Sequence, residues 1–94
     1  MNWHTYFLNL LPHIAKKSKD KSHKFGCIIV GPDNEIRSTG FNGAPRKVLE
    51  TPEREERPLK YFFKCHAEIN AICCAALNGV SLKDCRLYIG AIPC

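Results

Sequence analysis

Trp3, Phe7, Leu10, Leu11 and Ile14 recur at helical spacing, which predicts an amphipathic first helix with one apolar stripe against the rest of the molecule. Pro12 falls inside that stripe; it lacks an amide hydrogen and is expected to kink or restart the helix. Phe25 to Val30 is a nearly continuous apolar run with β-branched residues, the pattern of a strand buried on both faces. Gly31-Pro32-Asp33-Asn34 is a turn, and Glu35 to Phe41 returns as a second strand, so a hairpin is expected. Asn42-Gly43-Ala44-Pro45 ends that strand. From Arg46 to Lys60 the chain is charged, with three apolar residues besides its two prolines, and reads as a surface loop longer than compact domains usually carry. Ile69, Ile72, Cys73, Ala76 and Leu77 then trace one face of a second helix, which Asn78-Gly79 stops. Arg86 to Ala91 is a third strand. This order predicts an α/β domain, a mixed sheet with helices packed on it.

Composition narrows the class. The 94 residues are 45% apolar and 24% charged, with no low-complexity tract or repeat, so one small globular domain spanning 1–94 is expected rather than a disordered chain. A chain of this size buries roughly two thirds of its unfolded surface, which leaves a core with little margin. The formal net charge is +5, and much of the excess lies in Lys16, Lys17, Lys19, Lys21 and Lys24, offset locally by Asp20. An anionic ligand fits that cluster; so does a solvated basic turn.

Six cysteines in a short chain raise the question of a disulfide scaffold, which needs a secretory context. The apolar stretch Tyr6 to Leu11 is shorter than a signal-peptide core, has no basic residue before it, and is followed by Pro12 and lysines. No run approaches bilayer-spanning length. The expectation is a soluble cytoplasmic protein, with no membrane partner, whose cysteines are core residues or metal ligands.

The chemistry concentrates in His66-Ala67-Glu68, at the opening of the second helix, and Pro93-Cys94, after the third strand. Two residues apart on a regular helix, His66 and Glu68 point to nearly opposite sides. They converge only if His66 stands at the very start, outside regular helical geometry. A helix N-terminus suits such a site, because its free amides and dipole favour a thiolate or hydroxide. Pro93 likewise suits the start of a following helix, with the Cys94 sulfur at its positive end. Taken singly, His66 reads as an interior histidine and Glu68 as a favourable first-turn carboxylate; their combination with Asn42 and Pro93-Cys94 points to a site.

In these residues the sequence resembles the zinc nucleotide deaminases, and within them the deoxycytidylate (dCMP) deaminases, whose signature is H-x-E followed by P-C-x-x-C. The resemblance runs from about Lys24 to Cys94 in register: Lys24 to Val30, Ser38 to Arg46, Thr51-Pro52-Glu53-Arg54, Lys60-Tyr61, Cys65 to Ile72, Leu87-Tyr88-Ile89 and Pro93-Cys94. It implies a three-layer α/β/α fold of cytidine deaminase type and a bound Zn²⁺ held by His66 and Cys94. It implies that Glu68 is the catalytic proton shuttle, that the backbone amide of Ala67 holds the pyrimidine carbonyl, and that Asn42 bonds the sugar hydroxyl. Lys24 and Arg46 are candidates for the 5′-phosphate, on charge and position. The reaction implied is hydrolysis of dCMP to dUMP and ammonia, with a homo-oligomer for the full-length protein and no nucleic-acid partner. Cytidine, deoxycytidine and a polynucleotide base are the alternative substrates. The long loop with Thr51-Pro52-Glu53-Arg54 favours dCMP, because the compact nucleoside deaminases lack it.

The pattern departs from the family at its end. The family places a second Cys three residues after the first, and the sequence stops at Cys94, so a C-terminal helix and later strands are expected to be missing. A fragment of a longer reading frame is the expected explanation, and a non-catalytic remnant that binds nucleotide or pairs with full-length subunits is the alternative. Cys65 adjoins His66 and is poorly placed to share its metal. Cys73 and Cys74 are expected to pack as small apolar residues, and Cys27 and Cys85 to sit in the core or at a strand edge. His4, His13 and His23 are expected as surface or helix-face residues.

Overall fold

A computed structural model describes residues 1–20, 23–43 and 66–92. The chain enters as helix α1 (Trp3–Ala15), capped by the Asn2 side chain, whose Oδ1 accepts from the Thr5 amide at 2.8 Å. Phe7, Leu11 and Ala15 are buried, so the predicted stripe does face inward, although Trp3 at its start stays 53% exposed. Pro12 neither kinks nor restarts the helix, which runs unbroken to Ala15. The carbonyl that Pro12 leaves without its i+4 donor belongs to Leu8, an exposed residue, so water can satisfy it. Bonds from Lys16, Lys17 and Ser18 to the carbonyls three residues back tighten the helix end.

Strand β1 (Lys24–Val30) follows and is buried from Gly26 to Val30, as a continuous apolar run requires. It turns through Gly31–Glu35, closed by the Gly31 amide on the Glu35 carbonyl at 2.8 Å, into β2 (Ile36–Phe41). Asn34 takes a φ of 62° in that turn, which asparagine tolerates better than most residues. After the undescribed segment come helix α2 (Ala67–Leu77) and strand β3 (Arg86–Ile92). The sheet order is β2-β1-β3, and both neighbouring pairs are antiparallel. Among the described strands the sheet is antiparallel rather than mixed: β2 and β3 run the same way but lie on either side of the reversed β1 and do not pair.

Strand alternation divides the core in two. Ile28 and Val30 pack with Phe7 and Leu11 under α1, joined by Leu10, Ile14 and Tyr88. Cys27 and Ile29 pack with Ala67 and Ala71 under α2, joined by Leu82 and Cys85. The result is the expected α/β/α arrangement, with one helix on each face. Burial of a side chain such as Phe7 or Ile28 stabilises by roughly 1.5–3 kcal/mol. On the α1 face Tyr88 is tilted against the Phe7 ring, shares a hydrogen bond with His4 Nδ1 and accepts one from Arg86 Nε at 3.3 Å. His4 is thus a surface residue with a tertiary partner.

The face that α2 turns to the sheet is not the one the apolar spacing indicated. Ala67, Asn70, Ala71 and Ala75 are buried, while Ile69, Ile72 and Leu77 are 46%, 44% and 60% exposed and Cys73 is exposed as well. The reason is distance. A β-carbon on Gly40 would stand 2.5 Å from both the Ala67 carbonyl oxygen and the Ala71 nitrogen, so helix and strand meet backbone to backbone. Only alanine-sized side chains fit that gap. The helix ends as Asn78-Gly79 predicts: the Gly79 amide bonds the Ala76 carbonyl and the Val80 amide the Ala75 carbonyl, with Gly79 at a φ of 67°. Leu87 and Ile89 lie on the same sheet face, paired with Ile29 and Cys27, and each is 46% exposed. Among the described residues no helix is long and apolar enough to cross a membrane.

Candidate active site

One end of the sheet gathers most of the residues singled out in the sequence. The start of β1, the end of β2 and the end of β3 meet there, with Gly26 opposite Phe41 and Lys24 opposite Ile92. Above this end, on one face, stands the N-terminus of α2. His66 is its N-cap, with an extended backbone (φ −66°, ψ 156°) and no side-chain capping bond. It therefore stands outside regular helical geometry, the condition under which it and Glu68 can serve one site. Its carbonyl accepts from the Asn70 amide at 3.1 Å, closing the first turn, while its imidazole is exposed.

Ala67 and Glu68 occupy the first turn, where backbone amides have no acceptor within the helix. Ala67 is buried against the sheet, and Glu68 is half-buried. Glu68 lies near Cys27 of β1: burial pushes the Cys27 thiol up to about 11, and the Glu68 charge adds to that shift. Cys27 is thus a protonated core residue, as expected, and not a thiolate. Cys85 is half-buried near a strand edge, again as expected, whereas Cys73 is exposed rather than packed.

Asn42 stands just beyond β2, and its side chain spans to β1. Its Oδ1 accepts the Phe25 amide at 2.9 Å, and its Nδ2 donates to the His23 carbonyl at 2.9 Å. Its own carbonyl accepts from the buried Ser18 hydroxyl at 2.8 Å. Ser18 in turn accepts from the Asp20 amide, and Asp20 Oδ1 from the His23 amide, so the turn between α1 and β1 is tied to Asn42. Exposed Lys17 and Lys19 flank Ser18, which brings part of the basic cluster to this end of the sheet.

Lys24 is placed differently. It begins β1 on the alternation of Gly26 and Ile28, the face covered by α1, so it lies across the sheet from His66, Ala67 and Glu68. The structure brings His66, Ala67, Glu68 and Asn42 to one end and one face, and Lys24 to the edge of the other face. Arg46 and Cys94 lie outside the described residues. Among the described residues no three His, Cys, Asp or Glu side chains are grouped to hold a metal ion. Of the implied ligand pair, His66 has an exposed imidazole that makes no capping bond, so its ring is not committed to the helix end.

Sequence reasoning missed three polar anchors. Ser38 Oγ donates to the Ala71 carbonyl at 2.6 Å, and Asn70 Nδ2 donates to the carbonyls of Phe41 and Gly43 at 2.8 and 3.3 Å. Ser18 is the third. A polar residue among alanines on one helix face, as Asn70 is, was the available signal.

Comparison with known proteins identifies the family. Residues 1–94 match the family described as the cytidine and deoxycytidylate deaminase zinc-binding region. A human deoxycytidylate deaminase is 35% identical over 100 residues, which cover 100% of this chain and 55% of the human protein. An uncharacterized deaminase from Aliivibrio fischeri is 35% identical over 92 residues, 98% of this chain and 60% of its own. The deoxycytidylate deaminase of Saccharomyces cerevisiae is 29% identical over 101 residues, 99% of this chain and 32% of that protein. The chain thus spans about half the length of the first of these relatives.

Proposed function

We propose, from the premise that this chain belongs to the cytidine and deoxycytidylate deaminase family, that it carries the substrate-binding and proton-transfer half of a zinc-dependent dCMP deaminase acting in the cytoplasm. The observation that carries the reading is the placement of His66 outside the helix and Glu68 within its first turn, on the same end and face of the sheet as Asn42.

His66 and Cys94 are assigned as two ligands of Zn²⁺. When bound there, zinc supplies the Lewis acidity that lets a water ionise near neutral pH. Glu68 accepts a proton from the attacking water and delivers it to ring nitrogen 3 of cytosine. After the water oxygen bonds to ring carbon 4, Glu68 takes the second proton from that oxygen and gives it to the amine; the C–N bond breaks as the C4 carbonyl forms, so dCMP and water become dUMP and ammonia. A carboxylate is suited because one group must accept and then donate. The Ala67 amide, without a partner in its helix, donates to the pyrimidine carbonyl.

Asn42 is assigned to the sugar hydroxyl. Its bonds to Phe25 and His23 use one Oδ1 lone pair and one Nδ2 hydrogen; the second hydrogen remains for a substrate oxygen. The 5′-phosphate is assigned to Arg46. Lys24, on the α1 side of the sheet, adds positive field at the sheet end along with Lys17 and Lys19. A comparison of turnover on dCMP, cytidine and single-stranded DNA tests the substrate: dCMP is expected to be deaminated, and deamination of the polymer alone would refute this assignment.

A further inference from the structure

Asn70 is the polar residue on the face that α2 turns to the sheet, and it is 8% exposed. Its Nδ2 donates to the Phe41 carbonyl at 2.8 Å and to the Gly43 carbonyl at 3.3 Å. Those are the carbonyls on either side of Asn42. A side-chain amide has two hydrogens on its nitrogen, so both are committed. One turn earlier, the Asn70 backbone amide donates to the His66 carbonyl. A single residue therefore links the turn that carries His66, Ala67 and Glu68 to the segment that carries Asn42.

We infer that Asn70 is a positioning residue, which sets where Asn42 stands relative to His66, Ala67 and Glu68. The inference rests on the deamination reading for what Asn42 does, and on geometry alone for what Asn70 does. Two carbonyl acceptors facing one short side chain require a neutral donor with two hydrogens. Aspartate has the same shape but turns oxygen toward oxygen. Serine has one hydrogen and falls short, and glutamine is one carbon too long for the same gap. Ser38, the other buried polar tie between β2 and α2, bonds the Ala71 carbonyl and touches no neighbour of Asn42, so it serves as a control for docking as such.

Amide hydrogen exchange measured by NMR reads the placement of Asn42 directly, because the Phe25 amide donates to Asn42 Oδ1 rather than to Asn70. In Asn70→Asp, and in Asn70→Ser should the aspartate fail to fold, Phe25 is expected to exchange about tenfold faster, the factor for losing hydrogen bonds of ordinary net strength. The amides of Ile28 and Tyr88, which face each other across β1 and β3, are expected to keep their protection, and Ser38→Ala is expected to leave Phe25 within about twofold of the parent. Unchanged Phe25 exchange in the Asn70 variants would overturn the inference; so would acceleration shared equally by Ile28 and Tyr88, or matched by Ser38→Ala. In the zinc-loaded protein from the full reading frame, Asn70→Ser is expected to raise KM for dCMP about tenfold and lower kcat less than about threefold, the pattern of lost ground-state binding. An equal fall in kcat with KM unchanged would overturn it. Absence of dCMP turnover in the parent protein would refute the deamination reading, and the exchange comparison then decides the role of Asn70.

Discussion

Gly40 lies directly beneath Ala67: a β-carbon on Gly40 would approach the Ala67 carbonyl oxygen to 2.5 Å. The helix end that holds His66 and Glu68 is thereby set at backbone contact with β2, two residues before Asn42. Because the obstructing atoms are backbone, no rotamer change relieves the clash. Gly40→Ala is expected to destabilise the fold by about 1–3 kcal/mol, the range for overpacking a close contact, and to lift the N-terminus of α2. Urea denaturation gives the first quantity. The exchange rate of the Asn70 amide, which donates to the His66 carbonyl in the first turn, gives the second.

Cys27 sits under Glu68 and is fully buried. Its thiol is raised from an ordinary 9.0 to about 11, first by burial and then by the Glu68 charge. A raised value in the folded state means that the neutral thiol stabilises the fold below 9.0, and that this contribution is lost as pH climbs through 11. The fall in the urea midpoint between those pH values is expected to be smaller in Cys27→Ala than in the parent. At pH 8, a thiol-alkylating reagent is expected to label exposed Cys73 well before Cys27.

Leu87 and Ile89 leave apolar surface open on β3, beside the part of the sheet that α2 covers. A strand with open apolar side chains is prone to pair or stack with another copy. The 94-residue chain is therefore expected to self-associate at micromolar concentration, and Leu87→Lys with Ile89→Lys to shift it toward monomer. Sedimentation velocity checks this; a monomer in both forms would contradict it.

The order of elements was legible in the sequence because it rests on local pattern. The stripe of Phe7 and Leu11, the apolar run of β1, the Gly31–Glu35 turn and the Asn78-Gly79 stop each act within a few residues. The buried face of α2 was not legible, because it depends on a glycine in another strand. Side-chain size alone ranks Ile72 and Leu77 as core, whereas the backbone contact at Gly40 turns Ala67 and Ala71 to the sheet. Pro12 misled for a related reason: the cost of its missing amide depends on whether the freed carbonyl of Leu8 faces water, and that is a tertiary fact. In the site, His66 and Glu68 were singled out by the family resemblance, since their spacing alone sets them on opposite sides of a regular helix. The links that place them, through Asn70 and Ser38, could not be read until the opposing strand was known. Lys24 was chosen by charge, and strand alternation puts it on the far face.

The central claim is that Glu68 moves the protons of a zinc-dependent deamination of dCMP. Its most direct test follows loss of the cytosine absorbance and release of ammonia from dCMP, in the zinc-loaded protein expressed from its full reading frame, for the parent and for Glu68→Gln. The account predicts stoichiometric dUMP and ammonia from the parent, and a fall in kcat of about 10²–10⁴-fold in Glu68→Gln with dCMP binding retained. Equal turnover in the two proteins, or dCMP bound but unchanged by both, would contradict it.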